Sequence, residues 1–261
     1  MERKFILGEK KGVIAKDGKT DYAYIAGNIA PAYDEDVEYL SRRMLSIFTE
    51  SKEFPLVFAC YDRITAASGD FRKSVLLHAD NEPKIDGNKV TLTNGGGKLV
   101  ASYLSDSELD LTSIGGENNN RVINGKQIPI NGFRGDWHTL WGRVEVSPKL
   151  GNKTDDVLSV MFVTDEENDN ALEVTKLSTD KILGATVMNN ALLFIKKLVC
   201  PDSSYEIEVD GEGDMTYYVS GLSEGKWKVK AGKKSLTVTV GADEKFARFT
   251  APCGKLVLKK A

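Results

Sequence analysis

The chain has 261 residues, 41% of them apolar, enough to bury a full core in one large β domain or in a medium and a small one. Its 35 basic and 38 acidic residues leave a formal charge of −3, with no basic excess to neutralise a phosphate backbone, so nucleic acid is excluded as an expected partner. The first thirteen residues are charged around one three-residue apolar run, which reads as neither a signal peptide nor a membrane span.

In chain order, short apolar or aromatic runs at residues 5–7, 12–15 and 22–26 predict strands, with the KDGK tetrapeptide at 16–19 as a hairpin signal. The acidic residues 34–36 precede a stretch where helix competes. Tyr39, Ser41, Arg43 and Leu45 alternate against Leu40, Arg42, Met44 and Ser46, so a short turn or helix near 33–37 followed by a strand over 38–48 is preferred. FPLVFACYDRITA and RKSVLLHAD read as further strands, the first apolar over residues 56–61. NKVTLTN, GKLVASYL and DLTSIGG continue a meander whose turns, IDGN and NGGG, hold residues able to take positive φ. After an Asn- and Gly-rich loop over 117–136, five more strand-length segments reach residue 197. A composition change at 200–203 marks a boundary, beyond which SYEIEVDG, MTYYVSGL, GKWKVKAG, KSLTVTVG, KFARFTA and GKLVLKK alternate strand and turn. The expectation is all-β: a large antiparallel, supersandwich-like β-sandwich over residues 1–200 and a small antiparallel β region over 201–261.

Chemistry-bearing residues are sparse. The two histidines, His78 and His138, exclude a site built from several imidazoles. His78 ends an apolar strand and reads as a hydrogen-bonded structural group. His138 lies in FRGDWHTLW, where Arg134, Trp137 and Trp141 offer a cation and aromatic platforms of the kind that hold acidic sugars; these four residues are the candidate substrate contacts. NGGG lacks the ending of a phosphate loop, and TDEENDN at 164–170 lacks calcium-loop spacing and reads as a solvated acidic loop. No metal ligand set and no cofactor is expected. Cys60, in an apolar run, reads as a small buried side chain, while Cys200 and Cys253 pair only if their strands meet.

The order of the pieces YAYIAGNIAPAYD, SRRMLSIF, VFACYDRITA, FRKSVLLHADNEPKIDG, GKLVASYL, SIGGENNNRVINGKQIP and GRVEVSPKLGNKTDDVLSVMFVTD, over residues 12–165, resembles the C-terminal β-sandwich of heparinase II/III-like polysaccharide lyases. The resemblance implies β-elimination at a uronic acid: a neutralised carboxylate, a Tyr or His base for the C5 proton, and an acid for the leaving oxygen. In that family the Asn and Tyr groups come from a helical toroid, and the sandwich adds a histidine ahead of the YAYIAGNIAPAYD-like piece. The residues before that piece hold no histidine here, so no catalytic or metal residue is transferred onto this chain.

The first expectation is therefore the non-catalytic sandwich portion of such a lyase, one wall of a cleft for acidic polysaccharide, partnered by a helical toroid absent from this chain. Such a piece would be periplasmic or extracellular, and would show an exposed apolar patch that docking or homodimer formation masks. The alternatives are a stand-alone carbohydrate-binding or structural module, and an independent enzyme with converging ionisable groups in a pocket.

Overall fold

The computed structural model describes residues 6–14, 20–123, 125–128, 140–196, 203–242 and 244–261. Their strands begin with β1 (Ile6–Ile14), β2 (Thr20–Asn28), β3 (Val37–Phe48), β4 (Leu56–Ala66), β5 (Val75–Ala79), β6 (Lys84–Asp86) and β7 (Lys89–Asn94). There follow β8 (Gly97–Leu104), β9 (Leu109–Gly115), β10 (Val122–Ile123), β11 (Lys126–Gln127), β12 (Gly142–Pro148), β13 (Thr154–Asp165) and β14 (Val174–Ser178). The last are β15 (Ile182–Val187), β16 (Asn190–Ile195), β17 (Ser204–Ser220), β18 (Gly225–Ala231), β19 (Lys234–Val240) and β20 (Phe246–Lys260). The helical content among the described residues is one 3-10 turn, Ala30–Ala32, just ahead of the predicted position. The protein is all-β, as its alternating segments predict.

Three principal sheets stack. An eight-stranded sheet, ordered β1-β2-β3-β4-β13-β8-β7-β6, forms the middle layer. Successive side chains on a strand point to opposite faces, so each long strand here feeds two cores. Tyr22, Tyr24, Leu45, Ile47, Val57, Tyr61, Leu158 and Phe162 pack against Leu183, Leu192, Phe194, Tyr218 and Phe246 of a seven-stranded sheet ordered β14-β15-β16-β17-β20-β18-β19. On the other face, Leu40, Ile64, Val90, Tyr103 and Val157 pack against Val75, Val144 and Val146 of a three-stranded sheet, β5-β12-β9. A third core, with Trp227, Val229, Tyr205, Tyr217 and Leu258, fills the far side of the seven-stranded sheet.

Two readings of the carboxyl-terminal segments differ from what is observed. SYEIEVDG and MTYYVSGL are one strand, β17, and KFARFTA and GKLVLKK are one strand, β20. These pair antiparallel along their lengths with a register shift between Val209 and Asp214. Gly211 (φ 139°), Gly213 (φ 76°) and Gly254 (φ 105°) bend the ribbon without ending it. The sheet is also not purely antiparallel, since β16 pairs in parallel with the second half of β17, residues 190–194 with 216–220. The IDGN and NGGG turns do use positive φ, at Gly87, Gly95 and Gly96, while the KDGK segment lies outside the described residues.

The layers are tied by Arg43, which is fully buried on the face of β3 that meets the seven-stranded sheet. Its Nη1 donates to the carbonyl of Ile195 at 2.8 Å and to that of Ser220 at 3.4 Å, and the guanidinium lies 5.2 Å over the Tyr61 ring. Gly221 leaves it room: a Cβ there would stand 2.8 Å from Nη1.

Candidate ligand-binding face of the three-stranded sheet

The middle strand β12, GRVEVSP, is buried at every position, although alternate side chains point away from the core. Val144 and Val146 enter the apolar layer below. Arg143, Glu145 and Ser147 point outward and are buried by a polar network of their own. Arg143 Nη2 donates to the carbonyl of Val122 and to Glu145 Oε1, both at 2.6 Å. The second carboxylate oxygen, Oε2, lies 3.2 Å from Arg72 Nη2. Arg72 Nε donates to Ser147 Oγ at 3.1 Å, and the Ser74 and Ser147 hydroxyls are 2.8 Å apart. The loop between β9 and β12 is thus fastened to the sheet at Val122 by a buried, charge-assisted bond.

Arg72 is itself 44% exposed and opens into a cavity of about 520 Å³. The exposed rings of Tyr33 and Phe71 line it together with Asp36 and Asp70, over an apolar floor of Leu40 and Ile64. Arg72 is oriented by its bonds to Glu145 and Ser147 and keeps donors of its five for a ligand carboxylate or sulfate. The rings offer faces for stacking. Next to Arg72, Lys73 is turned inward to a buried ion pair with Asp155 at 3.1 Å and a 2.6 Å bond to the carbonyl of Asn152. The sequence reading did not single out Arg72. The signal available was FRK ahead of a strand, where alternation splits two adjacent cations between solvent and interior.

Of the predicted contacts, Arg134, Trp137 and His138 lie outside the described residues. Trp141 stands at the entry to β12, half-buried, with its ring over Gly115 and its carbonyl accepting from the Gly116 N–H at 2.8 Å. The SIGG segment is therefore small because Trp141 sits on it. His78 is exposed on β5, opposite Arg143. It had been expected as a bonded structural group, but β5 is the sheet's edge strand and its even-numbered side chains face outward. Together with Asn81, Thr93 and Lys98 it lines a second depression of about 300 Å³.

Burial raises the phenols of Tyr22, Tyr61, Tyr103, Tyr217 and Tyr218, most strongly Tyr61, whose hydroxyl donates to Asp156 at 2.5 Å. Tyr217 is pushed up to about 12. Burial also raises the Cys60 thiol to about 12, with the nearby Asp62 carboxylate adding to the effect. Cys60 is the small buried side chain its apolar run predicts. Cys253 lies against Gly211, and its pairing with Cys200 falls outside the described residues. The acidic loop at 164–170 is held by Lys98, whose Nζ donates to the carbonyls of Glu166 and Asn168.

These layers and the long β17–β20 ribbon define an all-β domain of stacked sheets. Residues 176–260 match the family model described as "Heparinase II C-terminal domain". The match covers almost the whole seven-stranded sheet, whereas the resemblance read from the sequence rested on residues 12–165. No curated protein matches the chain. Among solved structures, the chain is similar to a heparan sulfate lyase HepC mutant from Pedobacter heparinus, at 15% identity and a TM-score of 0.44 over 70% of this chain. The aligned region is 26% of that lyase, so this chain corresponds to about a quarter of its length.

Proposed function

We propose that this chain is the β-sandwich portion of a uronic-acid-cleaving lyase, that it forms one wall of the polysaccharide cleft, and that it carries no catalytic group of its own. The observation behind this is the cavity where Arg72 stands beside the exposed Tyr33 and Phe71 rings, a pairing suited to a sugar ring that bears an anion. The family match over residues 176–260 supports the lyase context. Burial holds the phenols of Tyr22, Tyr61, Tyr103, Tyr217 and Tyr218 away from the phenolate, which favours the non-catalytic reading for those five. The partners this reading requires are an acidic polysaccharide and a helical domain that contributes the acid and base. The exposed Leu76, Ile123, Ile128 and Leu140, on β5 and the β9–β12 loop, are the side chains such a domain would cover.

The test is binding of a uronic-acid oligosaccharide to the chain, followed by ultraviolet absorbance of unsaturated product. The expected result is saturable binding, weakened about tenfold in Arg72→Gln, with no product. Unsaturated product from the chain alone would overturn the non-catalytic reading, and unchanged binding in Arg72→Gln would overturn the assignment of the wall.

A further inference from the structure

On the opposite side of the molecule, the segment GKWKVKA alternates strictly. Trp227, Val229 and Ala231 enter the core, and Lys226, Lys228 and Lys230 stand exposed on the outer face of β18. Across to β19, these lysines are in register with Thr239, Thr237 and Ser235, all exposed. On the other side, β20 places the exposed Lys259 directly opposite Lys228 and Val257 opposite Lys230. Ser204 of β17 lies beyond Lys259. None of these four lysines has a carboxylate side chain directly opposite it; the diagonal neighbour of Lys259, Glu206, is ion-paired with Lys255.

Neighbouring strands are ~4.8 Å apart and alternate residues ~7 Å apart along a strand, so the four lysines spring from a compact set of positions bordered by hydroxyls. Like charges placed directly opposite each other in a sheet are destabilising. The usual structural reason for surface lysines on a sheet is protection of an edge, but the edge strand here is β19, and β18 and β20 are interior. Two same-face positions along β20 the opposite choice is made, since Lys255 is ion-paired with the diagonal Glu206 of β17. Fold stability therefore does not account for an unpaired Lys228–Lys259 contact between two interior strands.

We infer that the outer face of β20-β18-β19 is a second binding surface, for an extended polyanionic polysaccharide, separate from the Arg72 cavity and without chemistry. Lys226, Lys228, Lys230 and Lys259 meet sulfate or carboxylate groups, and Thr237 and Thr239 meet sugar hydroxyls. A polysaccharide fits better than a nucleic acid because the face offers no exposed aromatic ring among its described residues for base stacking and is built of strands with no helix to enter a groove. The inference shares its ligand class with the proposed cleft but rests on different residues.

The experiment uses the full chain, a fluorescent heparin oligosaccharide, a double-stranded DNA of equal charge and neutral dextran, with binding measured as a function of salt. The expected result is heparin binding that falls steeply with salt, a loss of at least tenfold in the triple variant Lys228→Gln, Lys230→Gln and Lys259→Gln, and a melting temperature equal to or above the parent's. Arg72→Gln reports on the cleft alone: an effect of Arg72→Gln without one from the triple variant overturns this inference and leaves the cleft standing. Equal affinity for DNA and heparin also overturns it, in favour of a nonspecific polyanion surface.

Discussion

Replacing Gly115 by alanine tests the packing that positions Trp141 and, with it, the start of β12. A Cβ on Gly115 would lie 2.3 Å from Trp141 Cε3, 2.5 Å from Cζ3 and 2.5 Å from the Trp141 carbonyl oxygen. The ring can rotate away, but the carbonyl cannot, because it accepts the Gly116 N–H and because Gly115 is in register with Gly142. Strand β9 must therefore move away from β12 or lose that bond. Forced overpacking of this kind costs about 1–3 kcal/mol, and the backbone component places Gly115→Ala near the upper end, about 3 kcal/mol. Trp141→Ala in the same chain relieves the ring contact and leaves the carbonyl contact, so the double variant recovers part of the loss. The assay is urea unfolding of the parent, the two single variants and the double variant, with the slope checked for constancy. A Gly115→Ala protein within about 0.5 kcal/mol of the parent, or complete recovery in the double variant, would refute the reasoning.

Three further outcomes follow from buried and charged groups. Lys73→Met strands the Asp155 carboxylate, which keeps only Ser107 and Asn152, and should cost about 3 kcal/mol in chemical unfolding. Arg43→Lys keeps the charge but loses the fork that reaches Ile195 and Ser220, and should lower stability by about 2 kcal/mol; a neutral result would mean the guanidinium bonds are dispensable. Burial pushes the Asp106 carboxyl up, but its bonds to Lys176, Lys196 and Ser178 outweigh this and hold it at about 2. A carboxyl depressed on folding contributes stability that is present above its unfolded value of about 3.9 and is lost as pH falls toward 2. Because Asp106 is 44% exposed, solvent screening limits the effect to about 1 kcal/mol. Asp106→Asn should flatten the acid arm of the stability profile in that window, and an unchanged profile counts against the clamp.

Most strands were legible because half-buried strands alternate, as GKWKVKA and the residues around Arg43 do. The continuity of β17 and β20 was not, since the DGEGD and APCG segments carry the same glycines whether a chain turns back or only bends. Parallel pairing of β16 with β17 leaves no local trace, because only the second half of β17 joins β16, after its first half has paired with β20. The aromatic and guanidinium cavity was illegible for a similar reason: Tyr33 and Arg72 are 39 positions apart in the numbering and meet only after β3 and β4 have paired. Lys259 is likewise 31 positions from its neighbour Lys228.

The seven-stranded sheet that matches the heparinase family spends one of its faces on a core it shares with strands outside the match. Leu183, Leu192, Phe194, Tyr218 and Phe246 lie inside residues 176–260, and the rings and branched chains they meet come from β2, β3, β4 and β13. Excised along the family boundary, the segment would carry a bare aromatic surface into water and keep the carbonyls of Ile195 and Ser220 without the Arg43 that docks on them. The segment that matches the family model is thus not a unit of burial in this chain, because the eight-stranded sheet covers one of its faces.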